Sequence, residues 1–301
     1  EMPPDHRFLL RSARLGGAAP RRHAHEVPLH RRRGGGTFED DLFESVSAEA
    51  FYGAMRKGAE PSTAQVTLQT LTDTFTAAAE EGTPAVYLAF SSGLSASFDA
   101  ACVVRDQVLA EHPDFELHIV DTHLASVAEG LLVYEALVQH EKGMSAAELA
   151  AWAEEARCFV NEEFMVDDLE ALRRGGRISG AAALVGGMLS IKPVVGVVDG
   201  DVVVLGKARG SKQSKNMVFQ KIDEAGGIDF TRPIWVAYSG LSDATARKYI
   251  ADSLAQAKAA EEAAADESAV PDDLPLTQVG AVIGTHVGPG GVAFAFFARE
   301  S

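Results

Sequence analysis

Two short stretches of the chain are rich in hydroxyl groups, and a glycine-rich stretch near the C-terminus carries one histidine. Residues 62–67 and 91–97 together hold seven serines and threonines, and His286 lies between Gly284 and Gly288. Serine, threonine and histidine side chains can donate hydrogen bonds to an anion, which offsets part of the cost of burying its charge. Helix capping accounts for some of these hydroxyls but not for all seven. The pattern therefore indicates a site for a carboxylate or a phosphate.

Glycines in the same stretches favour a closely approached ligand, because glycine lets the backbone come near where a side chain would clash. The glycines expected near the ligand are Gly93, Gly284, Gly288 and Gly290.

A second group of candidate residues is positively charged and lies in the C-terminal half of an otherwise acidic chain. Its members are Arg173, Arg174, Arg177, Lys207 and Arg209. Cations at a helix end suit the helix dipole, with Gly175 as the cap, but Arg177 lies beyond that end. Arginine binds phosphate or carboxylate through two parallel hydrogen bonds. The group therefore predicts a docking site for a phosphate or an acidic partner.

Known catalytic motifs are sparse. The chain has no Gly-x-Ser-x-Gly elbow, no Walker-type loop and no dinucleotide fingerprint. Three histidines near the N-terminus lack a matching carboxylate or thiol set, so no metal site is predicted. A hydrolase or phosphotransfer enzyme that uses Ser95 and His286 remains an alternative to a binding protein. A structural regulator with a vestigial pocket is a third possibility.

The elements that would position these residues alternate between strands and helices from residue 62 onward. Residues 85–90 form a continuous apolar run, and 117–120 are apolar except for His118. Helix-like segments follow both, which predicts a Rossmann-like parallel sheet covered on both faces. Ligands gather at the carboxyl ends of such strands, where the loops after Phe90 and Val120 begin. Beyond residue 165, an Asp199-Gly200 hairpin turn and further apolar strands predict a second α/β unit.

The charge and composition exclude several classes of protein. A formal net charge of −16 argues against nucleic acid and anionic membranes as partners, since binding phosphates requires clustered cations. No apolar run reaches the roughly 18 uncharged residues of a membrane-spanning segment. Cys102 and Cys158 lie far apart in apolar segments, which predicts two buried thiols in a reducing compartment. We expect a soluble, cytoplasmic protein.

The order of the motifs resembles that of the DegV family. Thr63-Ala64-Gln65 is similar to the family's Thr-Ser-Gln, and 91–98 is similar to its Ser-Ser-x-Leu-Ser-Gly-Thr-Tyr stretch. Further matches follow in family order: Val120-Asp121-Thr122 with Ser126 and Gly130, then 169–177, Ile191-Lys192-Pro193, Asp199-Gly200, Lys207-Ala208-Arg209 and 284–290. Each motif alone is of weak to moderate specificity, but their order and spacing make the set strong. The resemblance runs from about residue 37 to the end.

The resemblance implies two α/β domains, at 37–164 and 165–301, with a ligand tunnel between them. The first would hold the Rossmann-like parallel sheet, and the second a smaller mixed sheet with helices. The ligand implied is a long-chain fatty acid. The residues implied for its carboxylate are Thr63, Ser95 (preferred over Ser92) and His286.

The same resemblance implies a carrier without catalysis of its own, and no cofactor besides the bound fatty acid. A separate fatty acid kinase would phosphorylate the presented carboxylate to an acyl phosphate for phospholipid synthesis. The positively charged group defined above would then receive the kinase or the acyl phosphate.

Residues 1–36 depart from the family pattern. They hold eight arginines and three acidic residues, and Arg31-Arg32-Arg33 stands where an early family strand has apolar side chains. Three valine codons of a GC-rich gene give three arginines when they are read out of frame. We therefore interpret this atypical Arg-rich segment as a damaged or misread first-strand region, which resequencing of the gene would test.

Overall fold

The structure is a computed structural model that describes residues 26–29, 36–178, 191–264 and 270–299. Its helices are α1 (Ala48–Arg56), α2 (Leu68–Glu80), α3 (Ser97–Glu111), α4 (Ser126–Glu141), α5 (Ala146–Ala156), α6 (Glu170–Arg174), α7 (Gly210–Glu224), α8 (Asp243–Ala264) and α9 (Ala281–Val287). Its strands are β1 (Glu26–Leu29), β2 (Gly36–Glu39), β3 (Ala85–Ala89), β4 (Leu117–Asp121), β5 (Val160–Met165), β6 (Ile191–Val198), β7 (Asp201–Arg209), β8 (Trp235–Tyr238), β9 (Leu276–Gln278) and β10 (Val292–Phe297).

The described strands form three sheets. β3 and β4 pair in parallel, with Ala85 opposite Leu117, and β1 and β2 form a separate antiparallel pair. The third sheet has six strands in the order β7-β6-β5-β10-β8-β9, and within it β8 and β9 run parallel while the other pairs are antiparallel. The predicted α/β class, with a parallel and a mixed sheet, is confirmed.

The relative size of the two sheets differs from the prediction. We expected the C-terminal mixed sheet to be the smaller one, but within the described ranges it has six strands and the parallel sheet has two. β10 explains the difference, because this strand pairs with β8 on one side and with β5 on the other. β5 therefore belongs to the mixed sheet, although most of its residues precede Met165.

Strand β10 separates two apolar layers, and all six of its residues are buried. Val292, Phe294 and Phe296 pack with residues of α7 and α8. Ala293 and Ala295 lie on the opposite face, which packs with residues of α4. Since side chains alternate along a strand, large residues fill one face and small ones occupy much of the other. The small side chains leave space between the sheet and α4.

The β6–β7 hairpin brings the mixed sheet into contact with the loop that follows β3. Asp199 and Gly200 have φ angles of +50° and +88°, which a two-residue type I′ turn requires. The Ser91 hydroxyl donates to the Gly200 carbonyl oxygen at 2.7 Å. A Cβ on Gly93 would lie 2.7 Å from the same oxygen, so glycine is needed for this close approach. The predicted hairpin is confirmed. Its contact with Ser91 was not predicted from the sequence.

The prediction of two buried thiols is wrong, because Cys102 is half-buried and Cys158 is exposed. Cys158 lies in the 3₁₀ turn Arg157–Phe159 that connects α5 to β5, where the chain passes over the surface. Among the residues given above, no helix combines the length and apolarity needed to cross a bilayer.

Candidate ligand-binding site

A large cavity lies between the β3–β4 pair and the α4-facing side of the mixed sheet. Its volume is about 990 Å³, at the upper end of the roughly 300–1,000 Å³ of small-molecule sites. Most of its wall is apolar. Wall residues from five different elements include Val86, Leu88, Val133, Phe164, Val197 and Ile283.

Helix α4 forms one long side of the cavity. Residues that line the cavity recur at helical spacing along one face of this helix: Ser126, Glu129, Gly130, Val133, Ala136 and Leu137. The first and last of these are separated by about 16 Å at a rise of 1.5 Å per residue. The cavity is therefore elongated along α4 and suits a long, thin apolar ligand.

The polar end of the cavity is built by three segments that are distant in sequence. Thr63 lies between α1 and α2, Ser95 follows β3, and His286 lies in α9. The Thr63 Oγ1 and His286 Nε2 atoms are 2.8 Å apart. The Ser95 Oγ atom pairs instead with Ser97 Oγ at 2.9 Å. All three predicted residues line the same cavity, together with Arg177.

The imidazole of His286 is electrically neutral at pH 7. Burial, and then the positive charges of Arg177 and Arg174, lowers its pKa from 6.5 to about 4. Its Nδ1 atom is buried and has no hydrogen-bond partner within the described ranges. The ring lies so close to Gly175 that a Cβ there would stand 2.9 Å from Cε1. His286 is thus fixed by packing on one side and by Thr63 on the other.

Helix α9, which carries His286, is held by residues near the N-terminus. The Asp40 carboxylate accepts a hydrogen bond from the Val282 N–H at 2.8 Å and so caps the first turn. The Tyr52 hydroxyl donates to the Val279 carbonyl oxygen at 2.7 Å. A Cβ on Gly284 would lie 2.8 Å from Cζ of the Tyr52 ring, so this glycine serves packing within the protein.

Ser239 holds the loop that follows α9. Its buried hydroxyl donates to the Gly288 carbonyl oxygen at 2.6 Å and accepts from the Gly291 N–H at 2.8 Å. Gly288 and Gly290 have φ angles of +73° and +101°, which favour glycine. A Cβ on Gly290 would overlap the Asp167 carboxylate. The loop glycines are therefore explained by backbone conformation and internal packing.

Replacement of Ser239 by alanine is expected to lower the free energy of unfolding by about 1–3 kcal/mol, because two buried backbone groups lose their partner. Thermal unfolding of the purified variant measures this as a fall in Tm. Ser92→Ala is the control, since Ser92 is exposed, lies outside the cavity wall and uses its backbone N–H to bind Asp121. An equal fall in both variants would contradict the assigned role.

Two of the predicted docking residues already have acidic neighbours. Arg173 donates to both carboxylate oxygens of Glu170, at 2.9 and 2.6 Å. Arg174 lies 3.9 Å from the Glu60 carboxylate. Exposed pairs of this kind contribute little to stability, so both arginines remain accessible to an acidic partner.

The other three predicted cations differ in their placement. Arg177 turns toward the cavity end, where its Nε donates to the Leu94 carbonyl oxygen at 3.0 Å and its Nη1 to that of Gly175 at 2.5 Å. Lys207 and Arg209 are exposed on β7. The structure therefore separates an inward-facing arginine from the four surface cations.

Sequence reasoning did not single out the polar side chains of Tyr87, Glu129 and Glu162, which line the cavity, and it named Ser126, which also lines it, only as a motif match. Desolvation raises the pKa of both glutamates to about 8. The Ser126 side chain hydrogen-bonds to Glu162, and the charge of Glu129 acts on Tyr87. In the described part of the chain, no three His, Cys, Asp or Glu residues are arranged to hold a metal ion.

The stability of the protein is expected to fall as the pH rises from about 5 to about 8. Desolvation raises the pKa of Glu129, Glu162 and Glu163 from 4.5 to about 8, so folding takes up protons across this window. His286 acts in the opposite direction between its lowered pKa of about 4 and its ordinary 6.5, but it is one group against three. Tm measured against pH should decline, and Glu129→Gln with Glu162→Gln should flatten the decline.

The fold and the cavity define a class of α/β protein in which a parallel and a mixed sheet flank a long apolar cavity with a polar end. A sequence model described as an uncharacterised protein of the DegV family matches residues 18–299. A DegV domain-containing protein of Clostridium perfringens is 35% identical over 258 residues, which cover 85% of this chain and 84% of the relative. One of Lactococcus lactis is 31% identical over 271 residues, with coverage of 88% and 89%. The chain belongs to the DegV family.

Solved structures show the same fold. A DegV family protein of Thermus thermophilus, described as fatty acid binding, superimposes with a TM-score of 0.73 at 27% identity, over 92% of this chain and 91% of that one. A fatty acid binding DegV family protein of Streptococcus agalactiae gives 0.70 at 25% identity, over 92% and 91%. The family match begins at residue 18, earlier than the residue 37 traced from the motifs, so it includes part of the Arg-rich segment.

Proposed function

We propose that the protein binds a long-chain fatty acid in its cavity, with the carboxylate at the end formed by Thr63, Ser95 and His286. The observation that carries this proposal is the elongated apolar cavity of about 990 Å³ that ends on the hydrogen-bonded Thr63–His286 pair. The T. thermophilus and S. agalactiae relatives, both described as fatty acid binding, support it.

The Thr63–His286 pair acts as a relay of hydrogen bonds toward the carboxylate. The lowered pKa keeps His286 neutral, and in the tautomer that carries its hydrogen on Nε2 this N–H donates to Thr63 Oγ1. The Thr63 hydroxyl then turns its own hydrogen toward the ligand, and Ser95 supplies a second neutral donor. The positive charge of Arg177 at the same end attracts the carboxylate and offsets its desolvation.

The acyl chain supplies most of the affinity. Burial of apolar surface contributes about 0.8 kcal/mol per methylene, so a long chain outweighs the contribution of a few hydrogen bonds. The polar end then fixes which way the chain lies, and the length of the α4 side limits how much of it is enclosed.

The protein presents its carboxylate to a separate fatty acid kinase, which transfers the γ-phosphoryl group of ATP to yield an acyl phosphate and ADP. The carrier itself makes and breaks no bond, and its scheme includes no cofactor besides the bound fatty acid. The four surface cations, Arg173, Arg174, Lys207 and Arg209, receive the acidic kinase surface or the acyl phosphate. Such a scheme, which uses ATP and feeds phospholipid synthesis, places the protein in the cytoplasm.

Native mass spectrometry of the freshly purified protein, with lipid extraction, tests the binding proposal. We expect one fatty acid per chain. The proposal would be overturned if the purified protein carried no fatty acid and also bound none when fatty acids were added.

Phosphoryl transfer to the bound fatty acid tests the presentation step. In the presence of a bacterial fatty acid kinase and ATP, the loaded protein should yield acyl phosphate, trapped with hydroxylamine as the hydroxamate. Arg173→Glu with Lys207→Glu should lower kcat/KM by about tenfold or more through like-charge repulsion, while fatty-acid binding stays unchanged. Equal turnover in the variant and the wild type would show that these cations do not contribute to docking.

No observation favours a Ser–His hydrolase or phosphotransfer enzyme. The His286 Nε2 atom pairs with Thr63 rather than with Ser95, whose hydroxyl pairs with Ser97. His286 Nδ1 also lacks an orienting acid within the described ranges. A structural regulator with a vestigial pocket does not account for the open volume of the cavity.

A further inference from the structure

An unbranched saturated acyl chain leaves part of the cavity wall unexplained. Glu129 and Glu162 both line the cavity, and a hydrocarbon chain offers them no hydrogen bond. Glu162 is only 4% exposed and hydrogen-bonds to the Ser126 side chain, whereas the Glu129 carboxyl makes no hydrogen bond to a described residue. A polar group that faces an apolar ligand without a partner costs free energy. Glu129, together with the hydrogen-bonding capacity of the Glu162 carboxyl that Ser126 leaves unused, therefore points to a ligand that carries a polar group partway along.

The two glutamates reach the cavity from two elements that pack against each other, α4 and β5. Glu129 lies in the first turn of α4, three residues after Ser126. Glu162 lies in β5, on the same face as Phe164. The hydroxyls of Tyr87 and Ser126 line the cavity beside them. These four side chains, which we call the inner polar cluster, interact with one another and line one part of the elongated space.

The inner polar cluster is separate from the polar end of the cavity. The charges that act on His286 are those of Arg177 and Arg174, whereas those that act on Glu162 are Glu163 and Glu129. On α4 the cluster precedes Ala136, which lies about 10 Å further along the helix than Glu129. A chain whose carboxylate sits at His286 therefore passes the cluster partway along its length.

The protonation state of Glu129 and Glu162 determines which chemical group of a ligand can bind to the inner polar cluster. Desolvation keeps Glu129 and Glu162 mostly protonated at pH 7, since the pKa of each is raised to about 8. A neutral carboxylic acid offers one O–H donor and one carbonyl acceptor. An alcohol hydroxyl, which also donates one hydrogen and accepts others, complements this set. A cation would require ionised carboxylates. An anion would be bound by the O–H donors of the two acids but repelled by their carbonyl oxygens.

We propose that the cavity selects acyl chains that carry a hydroxyl group partway along, hydrogen-bonded by Glu129 and Glu162. This inference rests on the proposed fatty-acid binding and names the substrate class within it. A site that hydrogen-bonds a hydroxyl discriminates against the analogue that lacks it, because its own polar groups are then left unpaired.

Competition between stearic acid, 10-hydroxystearic acid and 12-hydroxystearic acid for the delipidated protein tests the proposal, with native mass spectrometry as the readout. We expect the wild type to prefer one of the hydroxy acids by about five- to tenfold over stearic acid, from one or two net hydrogen bonds. Glu129→Leu with Glu162→Leu should reverse this preference. The single isosteric variants Glu129→Gln and Glu162→Gln, which keep a donor and an acceptor, should retain most of it.

Glu163→Gln is the matched control. Glu163 is the next residue of β5, is equally buried and has a pKa raised to about 8, but it lies outside the cavity wall. At pH 6, where both carboxyls are protonated, its replacement should leave the preference ratio unchanged.

The possible outcomes separate the inference from the function on which it rests. A protein that binds none of the three acids contradicts fatty-acid binding itself. Equal binding of all three acids by the wild type overturns the hydroxyl inference alone, and does so without any variant that might misfold. A preference that survives the double leucine substitution also overturns it, because the selectivity then lies elsewhere in the wall.

Discussion

Thr63→Val and His286→Leu are each expected to weaken fatty-acid binding by about 10- to 100-fold. Hydrogen bonds to a charged group contribute about 1.5–3 kcal/mol, and the valine change removes the Thr63 hydroxyl without altering the volume of the side chain. Since the Thr63 Oγ1 and His286 Nε2 atoms are 2.8 Å apart and act as one relay, the two losses should not add in the double variant. Acyl phosphate formation by the kinase should fall further, because the carboxylate is no longer held in one orientation.

The measurement is a titration of delipidated protein with a long-chain fatty acid, followed by calorimetry or by displacement of a fluorescent acid. Thr72→Val is the control, because it makes the same exchange of hydroxyl for methyl in α2, outside the cavity wall. Wild-type affinity in both the Thr63 and the His286 variants would place the carboxylate elsewhere. Unchanged affinity in only one of the two variants would show that Thr63 and His286 do not act as a relay. The residue whose replacement weakens binding would then be the one that binds the carboxylate.

The meeting of the polar-end residues could be anticipated in part from the sequence. Short apolar runs that end in hydroxyl-rich loops place those loops at one edge of a parallel sheet, and β3 and β4 do end there. The glycine-rich surroundings of His286 indicated a close approach. In the structure, however, Gly284 and Gly290 accommodate Tyr52 and Asp167 rather than a ligand. The glycines correctly indicated that another group approaches the backbone closely. Which group approaches each glycine depends on tertiary packing and could not be predicted.

The cavity and its inner polar cluster could not be predicted, because they depend on strand order. Adjacent glutamates in β5 resemble an exposed strand, yet β10 and β6 pair on both sides of it and bury Glu162 and Glu163. The one available signal was the placement of two carboxyls in a row, which puts one on each face of a strand. The pairing of β10 with β5, which makes the mixed sheet the larger one, joins segments more than a hundred residues apart and leaves no local signature.

The length of chain that the cavity accepts should be shortened by Ala136→Phe. Ala136 is buried and lines the cavity on α4, about 15 Å along the helix from Ser126. A phenyl ring there displaces the end of a long chain, and the loss of three buried methylenes alone costs about 2.4 kcal/mol, or roughly 50-fold in affinity.

The same substitution should leave shorter chains unaffected, since they end before they reach the ring. Competition among saturated acids of 12 to 18 carbons therefore should show the preferred length moving downward, not a uniform loss. Ala147→Phe, on the exposed face of α5, controls for the added aromatic surface and should keep the wild-type profile. An equal loss at every chain length would mean that the carboxylate, rather than the end of the acyl tail, lies near Ala136. The orientation argued from the Thr63–His286 end would then have to be reversed.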